Sequence, residues 1–260
     1  MDAQRTSSTF PWVGLITLSA LIFLTVTSEF LPTGLLPEMA RELDVSQGQV
    51  GLLITIFAGT VVVSTTPLAA LTRRFQRKPL LLAVLMVFVL ANVLAAIAPT
   101  YTFLMLARVL GGLAHGLFWA IVGAYSGHLV PKNMLGRAVA ITSGGGTAAF
   151  VLGVPVGTAI GHSIGWRAAF LVIAAAMVLL AFVAVRLLPP VQHIEPLVTG
   201  EIVLPLRKDK SIPDIILVCL VVILIMTAHN LFYTFITPFL LGPVGVPLGN
   251  IPLVLFLYGS

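Results

Sequence analysis

The sequence has few charged residues and almost no cysteine. Only 9% of its 260 residues are Asp, Glu, Lys or Arg, whereas a soluble domain has about one quarter. Cys219 is the single cysteine, which excludes a disulfide framework and leaves no metal-ligand spacing. The basic residues lie between apolar runs, so nothing indicates a nucleic-acid-binding face. The chain therefore has too little polar surface to cover a water-soluble globule.

Long apolar runs dominate the sequence: 58% of the residues are hydrophobic, and the mean hydropathy is +1.09. A transmembrane helix needs about 20 mainly apolar residues. Seven segments meet this requirement: 12–36, 49–71, 79–98, 102–129, 136–164, 168–188 and 212–240. The sequence predicts an all-α polytopic membrane protein. The first segment is too long for a signal peptide and lacks a cleavage site after it.

The distribution of lysine and arginine predicts the orientation of these spans. Eleven basic residues fall before the first span or after an even-numbered one: Arg5, Arg73, Arg74, Arg77, Lys78, Lys132, Arg137, Arg186, Arg207, Lys208 and Lys210. The alternate loops hold only Arg41 and Arg167. We therefore expect a cytoplasmic N-terminus.

The loops predict two unequal parts joined by a linker. Residues 1–188 contain six spans with short connections, whereas residues 189–211 form a longer stretch with prolines and balanced charges. Residues 212–260 contain the seventh span and the start of an eighth. A six-helix bundle, a cytoplasmic linker and further helices are typical of transporters built from two halves.

Two charged residues lie well inside predicted spans, more than five residues from either end, where charge is costly: Glu29 and Arg108. Glu29 lies about seven residues, or roughly 10 Å, from the outer end of the first span. Arg108 has much the same depth in the fourth. We expect them to neutralise each other and to couple proton movement to transport. The alternative is that Glu29 only reaches the outer headgroups where the helix frays at Pro32.

The fourth predicted span carries a polar stripe beyond Arg108. His115 and Trp119 follow on the same helical face as Arg108, and histidine titrates near neutral pH. His115 is a candidate proton-coupling residue, although a hydrogen bond between helices would also explain it. Trp119 is a candidate cavity-lining residue, with simple packing as the alternative.

A second polar face lies in the seventh predicted span. Asn230 and Thr234 share this face, and Tyr233 lies beside it. We predict that these residues line a cavity. The alternative is that they hydrogen-bond neighbouring helices, as polar side chains commonly do in membranes.

The fifth predicted span contains small residues four positions apart: Gly145, Ala149, Gly153, Gly157 and Gly161. Such a ridge allows close approach of a neighbouring helix. Pro155 within it favours a kink. We expect a bent helix at a moving interface, against the simpler alternative of ordinary helix packing.

Other classes fit less well. A seven-helix receptor or retinal protein would have an outside N-terminus and, for retinal, a lysine in the seventh span. An intramembrane hydrolase would need a nucleophile signature, which the tetrapeptide 125–128 does not supply. We expect no enzymatic activity, no cofactor and no metal.

Four stretches together resemble the major facilitator superfamily, within it the drug/proton antiporter branch and its bacterial sugar-efflux and nucleoside-efflux permeases. They are TSEFLPTGLLPEMARELDVS, TRRFQRKPLL, LARVLGGLAHGLFWA and GGTAAFVLGVPVGTAIG. The resemblance implies alternating access between two six-helix bundles in the bacterial inner membrane. It implies partners in a small solute (a sugar, nucleoside or drug), protons and the lipid bilayer.

The resemblance also implies roles for particular residues. Glu29 matches the acidic site of helix 1, and Arg108 matches the arginine of helix 4 that is linked to proton coupling. The loop signature and the helix 5 signature are implied to govern the bundle interface and its motion: Arg73, Arg77, Lys78, Gly153, Pro155 and Gly157. The family usually has an aspartate where Arg73 stands and a glycine where Gln76 stands.

The chain is shorter than the twelve helices of the family and stops within the eighth. We therefore expect it to be C-terminally truncated. A non-transporting membrane remnant is the alternative to a transporter, and the ridge of the fifth span would then lack much of its partner surface.

Overall fold

The computed structural model of the chain describes residues 10–190 and 212–259. Within these ranges the secondary structure is entirely helical, and seven helices are long and apolar enough to cross a membrane. The predicted all-α membrane fold is confirmed, with a six-helix bundle, a seventh long helix and a short apolar helix after it. Most of the predicted linker 189–211 lies outside the described residues.

The helices are numbered along the chain, and several of them are short. They are α1 (Trp12–Gly34), α2 (Leu36–Glu42), α3 (Gln47–Thr72), α4 (Arg77–Ala96), α5 (Tyr101–Leu129), α6 (Leu135–Ala148), α7 (Val154–Ile164), α8 (Trp166–Leu187), α9 (Ile212–Thr234), α10 (Ile236–Leu241) and α11 (Ile251–Gly259).

Local sequence explains where several helices begin. Ser46 caps α3, because its hydroxyl accepts from the Gln49 amide while the Gln49 side chain accepts from the Ser46 amide. Thr100 caps α5 in a simpler way, by accepting from the amide of Phe103.

Prolines explain why two predicted spans end earlier than expected. The first span was predicted to reach residue 36, but α1 ends at Gly34 and α2 begins with Pro37 in its first turn. The seventh was predicted to reach residue 240, but α9 ends at Thr234 and Pro238 lies in the first turn of α10. A first turn tolerates proline because its amides have no partner within the helix.

The six-helix bundle is held by two apolar clusters. The central one joins α1, α3, α4, α5 and α8 around the aromatic side chains Phe57, Phe88 and Phe118. The second lies near α2 and surrounds Trp166 and Phe170 on α8. Glycines on α5 permit the tight contact with α3, since a Cβ at Gly112 would lie 2.8 Å from the Phe57 carbonyl oxygen.

The fifth predicted span is interrupted in its middle. A π-helical turn, Ala149–Gly153, separates α6 from α7, and Pro155 lies at the start of α7. The extra residue of a π turn rotates the two flanking helices relative to each other. The π turn therefore lies where the sequence predicts a bend, two residues before Pro155.

The glycine ridge of this span packs against α1 within the same bundle. Cβ atoms at Gly145 and Gly153 would overlap Ser19 and Thr27, and one at Gly157 would lie 2.7 Å from Leu31. The expectation that the ridge lacks partner surface is therefore wrong: the close approach that small residues allow is used between neighbouring helices of the first bundle.

Polar contacts tie the two ends of the bundle. At the end where the chain leaves α8, Lys78 Nζ donates to the Val185 and Leu188 carbonyls at 2.8 and 2.6 Å, and the Tyr125 hydroxyl donates to the Pro189 carbonyl. At the opposite end, Glu42 on α2 accepts from the Trp166 indole and pairs with Arg167.

The helix α9 contacts the bundle mainly near its last turn. Residues 213–229 are exposed, whereas Tyr233 and Thr234 are buried. Tyr233 forms an apolar cluster with Val154 on α7, Ile236 on α10, and Ile251 and Leu255 on α11.

Candidate functional site

A cleft of about 840 Å³ lies between the bundle and α9. One wall comes from α1 and α3, the other from α9 and Phe235. Glu29 is the one charged residue among the described residues that line it, and the polar lining residues otherwise are Thr55, Thr227, Asn230 and Thr234. The cleft thus combines an apolar surface with a carboxylate and a few hydrogen-bonding groups, a composition typical of small-molecule sites.

The carboxylate of Glu29 faces His115 on α5. Glu29 Oε2 lies 3.8 Å from His115 Nε2, and the two side chains are 15% and 1% exposed. This separation is too long for a hydrogen bond but within range of an ion pair when the imidazole is protonated. Glu29 therefore borders both the cleft and the bundle interior.

The Arg108 side chain reaches α1 through the backbone of that helix. Arg108 Nη1 donates to the Ser28 carbonyl at 3.0 Å, and Nη2 donates to the Glu29 carbonyl at 2.7 Å. Within the described ranges, no carboxylate lies within 4.0 Å of its guanidinium. The acid and the base are neighbours, as their depths predicted, but the guanidinium binds the main chain of Glu29 rather than its carboxylate.

Aromatic rings surround the basic residues of the site. The Arg108 guanidinium lies over the Phe57 ring, 4.2 Å from its centroid. The His115 ring contacts Phe57, Phe88 and Phe118 at centroid distances of 5.3 to 6.1 Å. Both His115 nitrogens and Arg108 Nε are buried without a hydrogen-bond partner in the described part of the chain. The site therefore retains unused hydrogen-bonding capacity beside Glu29.

Sequence reasoning missed a buried hydrogen bond behind Glu29. The Ser28 hydroxyl donates to Asn92 Oδ1 at 2.7 Å, and Asn92 Nδ2 donates to the Phe88 carbonyl at 2.8 Å. This bond joins α1 to α4 one residue before Glu29. Asn92 is a polar residue in the last two turns of the apolar α4, and a polar side chain in such a helix is the signal that would have identified it.

The residues predicted to line a cavity fall in three places. Asn230 and Thr234 lie on the α9 wall of the cleft. Tyr233 is buried against Phe30 and Phe150, with ring centroids 5.9 and 5.3 Å away. Trp119 lies outside the cleft and is 39% exposed; its ring is tilted by 34° against that of His115, with the centroids 5.8 Å apart.

The residues predicted at the bundle interface are also separated. Arg73 is exposed and Arg77 is half-buried. Lys78 binds the last carbonyls of α8, as described above. Gly153 and Gly157 are buried next to α1, and Pro155 is buried in the first turn of α7.

The seven long apolar helices indicate a multi-pass membrane protein, and the cleft beside them is of a size that accommodates a small molecule. Residues 18–260 match the Major Facilitator Superfamily, and the chain belongs to this superfamily of transporters.

Solved transporters share the fold at low sequence identity. A bacterial homolog of the human lysosomal transporter Spinster, inward-facing and unoccupied, matches 97% of the chain with a TM-score of 0.81 and 16% identity. Its occupied form matches 95% with a TM-score of 0.76 and 17% identity. The proton:xylose symporter XylE matches 69% with a TM-score of 0.62 and 15% identity. The chain covers 59%, 58% and 45% of these three structures, respectively.

Proposed function

We propose that this chain serves proton-coupled export of a small solute, such as a sugar, a nucleoside or a drug, by alternating access. The observation that carries the proposal is the position of Glu29. Its carboxylate borders the cleft on one side and His115 on the other. A solute entering the cleft and a proton on the carboxylate would compete for the same group, which is the requirement for exchange.

The shape of the cleft supports this proposal. The helix α9 contacts the bundle near Tyr233 and is exposed over residues 213–229. The cleft is therefore closed beside Tyr233, where α9, α10 and α11 meet the bundle. With the basic end of the bundle in the cytoplasm of a bacterial inner membrane, as the lysine and arginine distribution predicts, this arrangement would be inward-facing.

We assign proton binding and solute binding to different residues of the cleft. Glu29 would bind and release the proton, with His115 as its partner inside the bundle. Asn230 and Thr234 would contact the solute from α9, because they face Glu29 across the cleft.

Reconstitution of the chain into liposomes containing a pH-sensitive dye tests the proposal. Inward gradients of D-xylose, uridine or ethidium are imposed, and the internal pH is recorded. We expect at least one of these probes to drive protons in the opposite direction, and Glu29→Gln to abolish that movement.

The matched control is Glu38→Gln. Glu38 lies on α2, outside the cleft, 3.4 Å from His162. It should leave the proton movement unchanged. Proton movement that persists in Glu29→Gln, or that none of the three probes produces in the unsubstituted chain, would contradict the proposal.

A further inference from the structure

The helix α1 contains a proline in its last turns. Pro32 has no amide hydrogen, so it cannot donate to the carbonyl of residue 28, four positions earlier. Ser28 is 1% exposed, and its carbonyl therefore cannot turn to water. An unpaired buried carbonyl is costly, so this position needs a donor from elsewhere.

Arg108 supplies that donor from α5. Its Nη1 atom donates to the Ser28 carbonyl at 3.0 Å, and its Nη2 atom donates to the next carbonyl, Glu29, at 2.7 Å. The planar guanidinium presents two donors side by side, which matches two successive carbonyls of one helix turn. The bond that Pro32 removes is thus replaced from a second helix.

The guanidinium is itself fixed in place. Arg108 is 3% exposed and lies over the Phe57 ring at 4.2 Å. A Cβ at Gly111 would lie 3.0 Å from the same ring, so glycine at this position lets α3 bring Phe57 up to α5. The packing of α3 on α5 therefore fixes the position of the Arg108 guanidinium, which in turn binds the backbone of α1.

We propose that Arg108 is a positioning residue: its guanidinium replaces the amide hydrogen that Pro32 lacks and fixes the backbone at Ser28 and Glu29. The Glu29 side chain is thereby directed toward the cleft and His115. The role of Glu29 as proton carrier rests on the proposed function. The positioning itself does not, and its test uses no transport measurement.

Restoring the missing amide gives a direct test. Arg108→Leu removes both donors and should lower the thermal unfolding midpoint of the purified chain in detergent by several degrees. Pro32→Ala returns an amide hydrogen at position 32. In the Arg108→Leu background it should recover at least half of the loss, and it should raise the midpoint more there than in the unsubstituted chain. Pro67→Ala, which removes an exposed proline from the interior of α3, should raise the midpoint by the same amount with and without Arg108→Leu.

Labelling of residue 29 tests orientation separately from stability. In a background with Cys219→Ser, Glu29→Cys is exposed to a water-soluble maleimide, and the labelling rate is measured by mass spectrometry. Adding Arg108→Leu should slow labelling several-fold, because the side chain no longer points steadily into the cleft. Adding Pro32→Ala should return the labelling rate to within a factor of about two of the rate measured without Arg108→Leu. A tenfold difference in rate would correspond to about 1.4 kcal/mol.

Thr55→Cys provides the matched control for labelling. Thr55 lines the same cleft from α3, and the hydrogen bonds of Arg108 go to the Ser28 and Glu29 carbonyls instead. Its labelling should not change with Arg108→Leu.

Recovery of both the midpoint and the labelling rate by Pro32→Ala supports the proposal. A midpoint that Pro32→Ala does not recover overturns the replacement of the missing amide. A labelling rate at residue 29 that Arg108→Leu leaves unchanged overturns the positioning of Glu29. Failure of Glu29→Gln to affect transport, by contrast, would contradict only the proposed function.

Discussion

Thr27 on α1 occupies the space in which a side chain at Gly153 would begin. A Cβ at residue 153 would overlap Thr27 Oγ1, whose hydrogen is donated to the Phe23 carbonyl at 2.7 Å. The contact lies at the last residue of the π-helical turn in the fifth span. The π turn and the close approach of α1 therefore occur at the same residue.

Gly153→Ala should destabilise the bundle. The added methyl group has to displace Thr27, and overpacking of this kind costs about 1–3 kcal/mol. Gly144→Ala is the matched control, because nothing lies within 4 Å of a Cβ at that position. It should be neutral or stabilise by up to about 1 kcal/mol, the helix propensity of alanine over glycine. Thermal unfolding in detergent measures both, and equal midpoints for the two variants would contradict the packing of the ridge on α1.

His115→Phe should leave the chain folded but lower its proton movement. The surroundings of His115 are aromatic, and its two nitrogens have no partner in the described residues, so a phenyl ring fits there without loss of a hydrogen bond. We expect a folded chain whose solute-driven proton movement is lowered by about tenfold or more, the effect of removing about 1.4 kcal/mol of interaction.

The control for this variant is His128→Phe, at an exposed position in the last turn of α5. It should retain the proton movement recorded by the internal dye. Equal rates of proton movement in the two histidine variants would contradict a role for His115 in proton movement.

Ser28 and Asn92 should show measurable coupling. Their hydrogen bond is buried and joins α1 to α4. A double-mutant cycle with Ser28→Ala and Asn92→Val should give about 0.6–1.7 kcal/mol, the range found for polar pairs between membrane helices. Thr25→Val should combine additively with Asn92→Val, because the Thr25 hydroxyl donates to Ile22 in its own helix. A cycle energy near zero for Ser28 and Asn92 would contradict the bond.

Much of the fold could be predicted from apolar length and charge placement. The limits of α3, α4, α5 and α8 lie within about two residues of those predicted, a typical uncertainty for helix ends. The π-helical turn before Pro155 could not be predicted, because proline accounts for a bend but not for the extra residue in the preceding turn. The partner of the glycine ridge was also missed, since a small-residue pattern does not name the helix it faces.

The candidate site, too, could be predicted only in part from the sequence. Depth along a span, counted at about 1.5 Å per residue, brought Glu29 and Arg108 to the same level. The direction in which each side chain points around its helix depends on how the helices pack. That direction could not be predicted from the sequence alone. The carbonyl that Arg108 binds was nonetheless foreseeable, because Pro32 lies four residues after Ser28 and must leave that carbonyl without its helical donor.

The hydrogen bonds from Lys78 and Tyr125 have a mechanical consequence. They hold the carbonyls of Val185, Leu188 and Pro189, so the chain leaves the first bundle from a fixed point on α4 and α5. Because α4 and α5 both contribute to the central apolar cluster, unwinding the last turn of α8 would first require these hydrogen bonds to break.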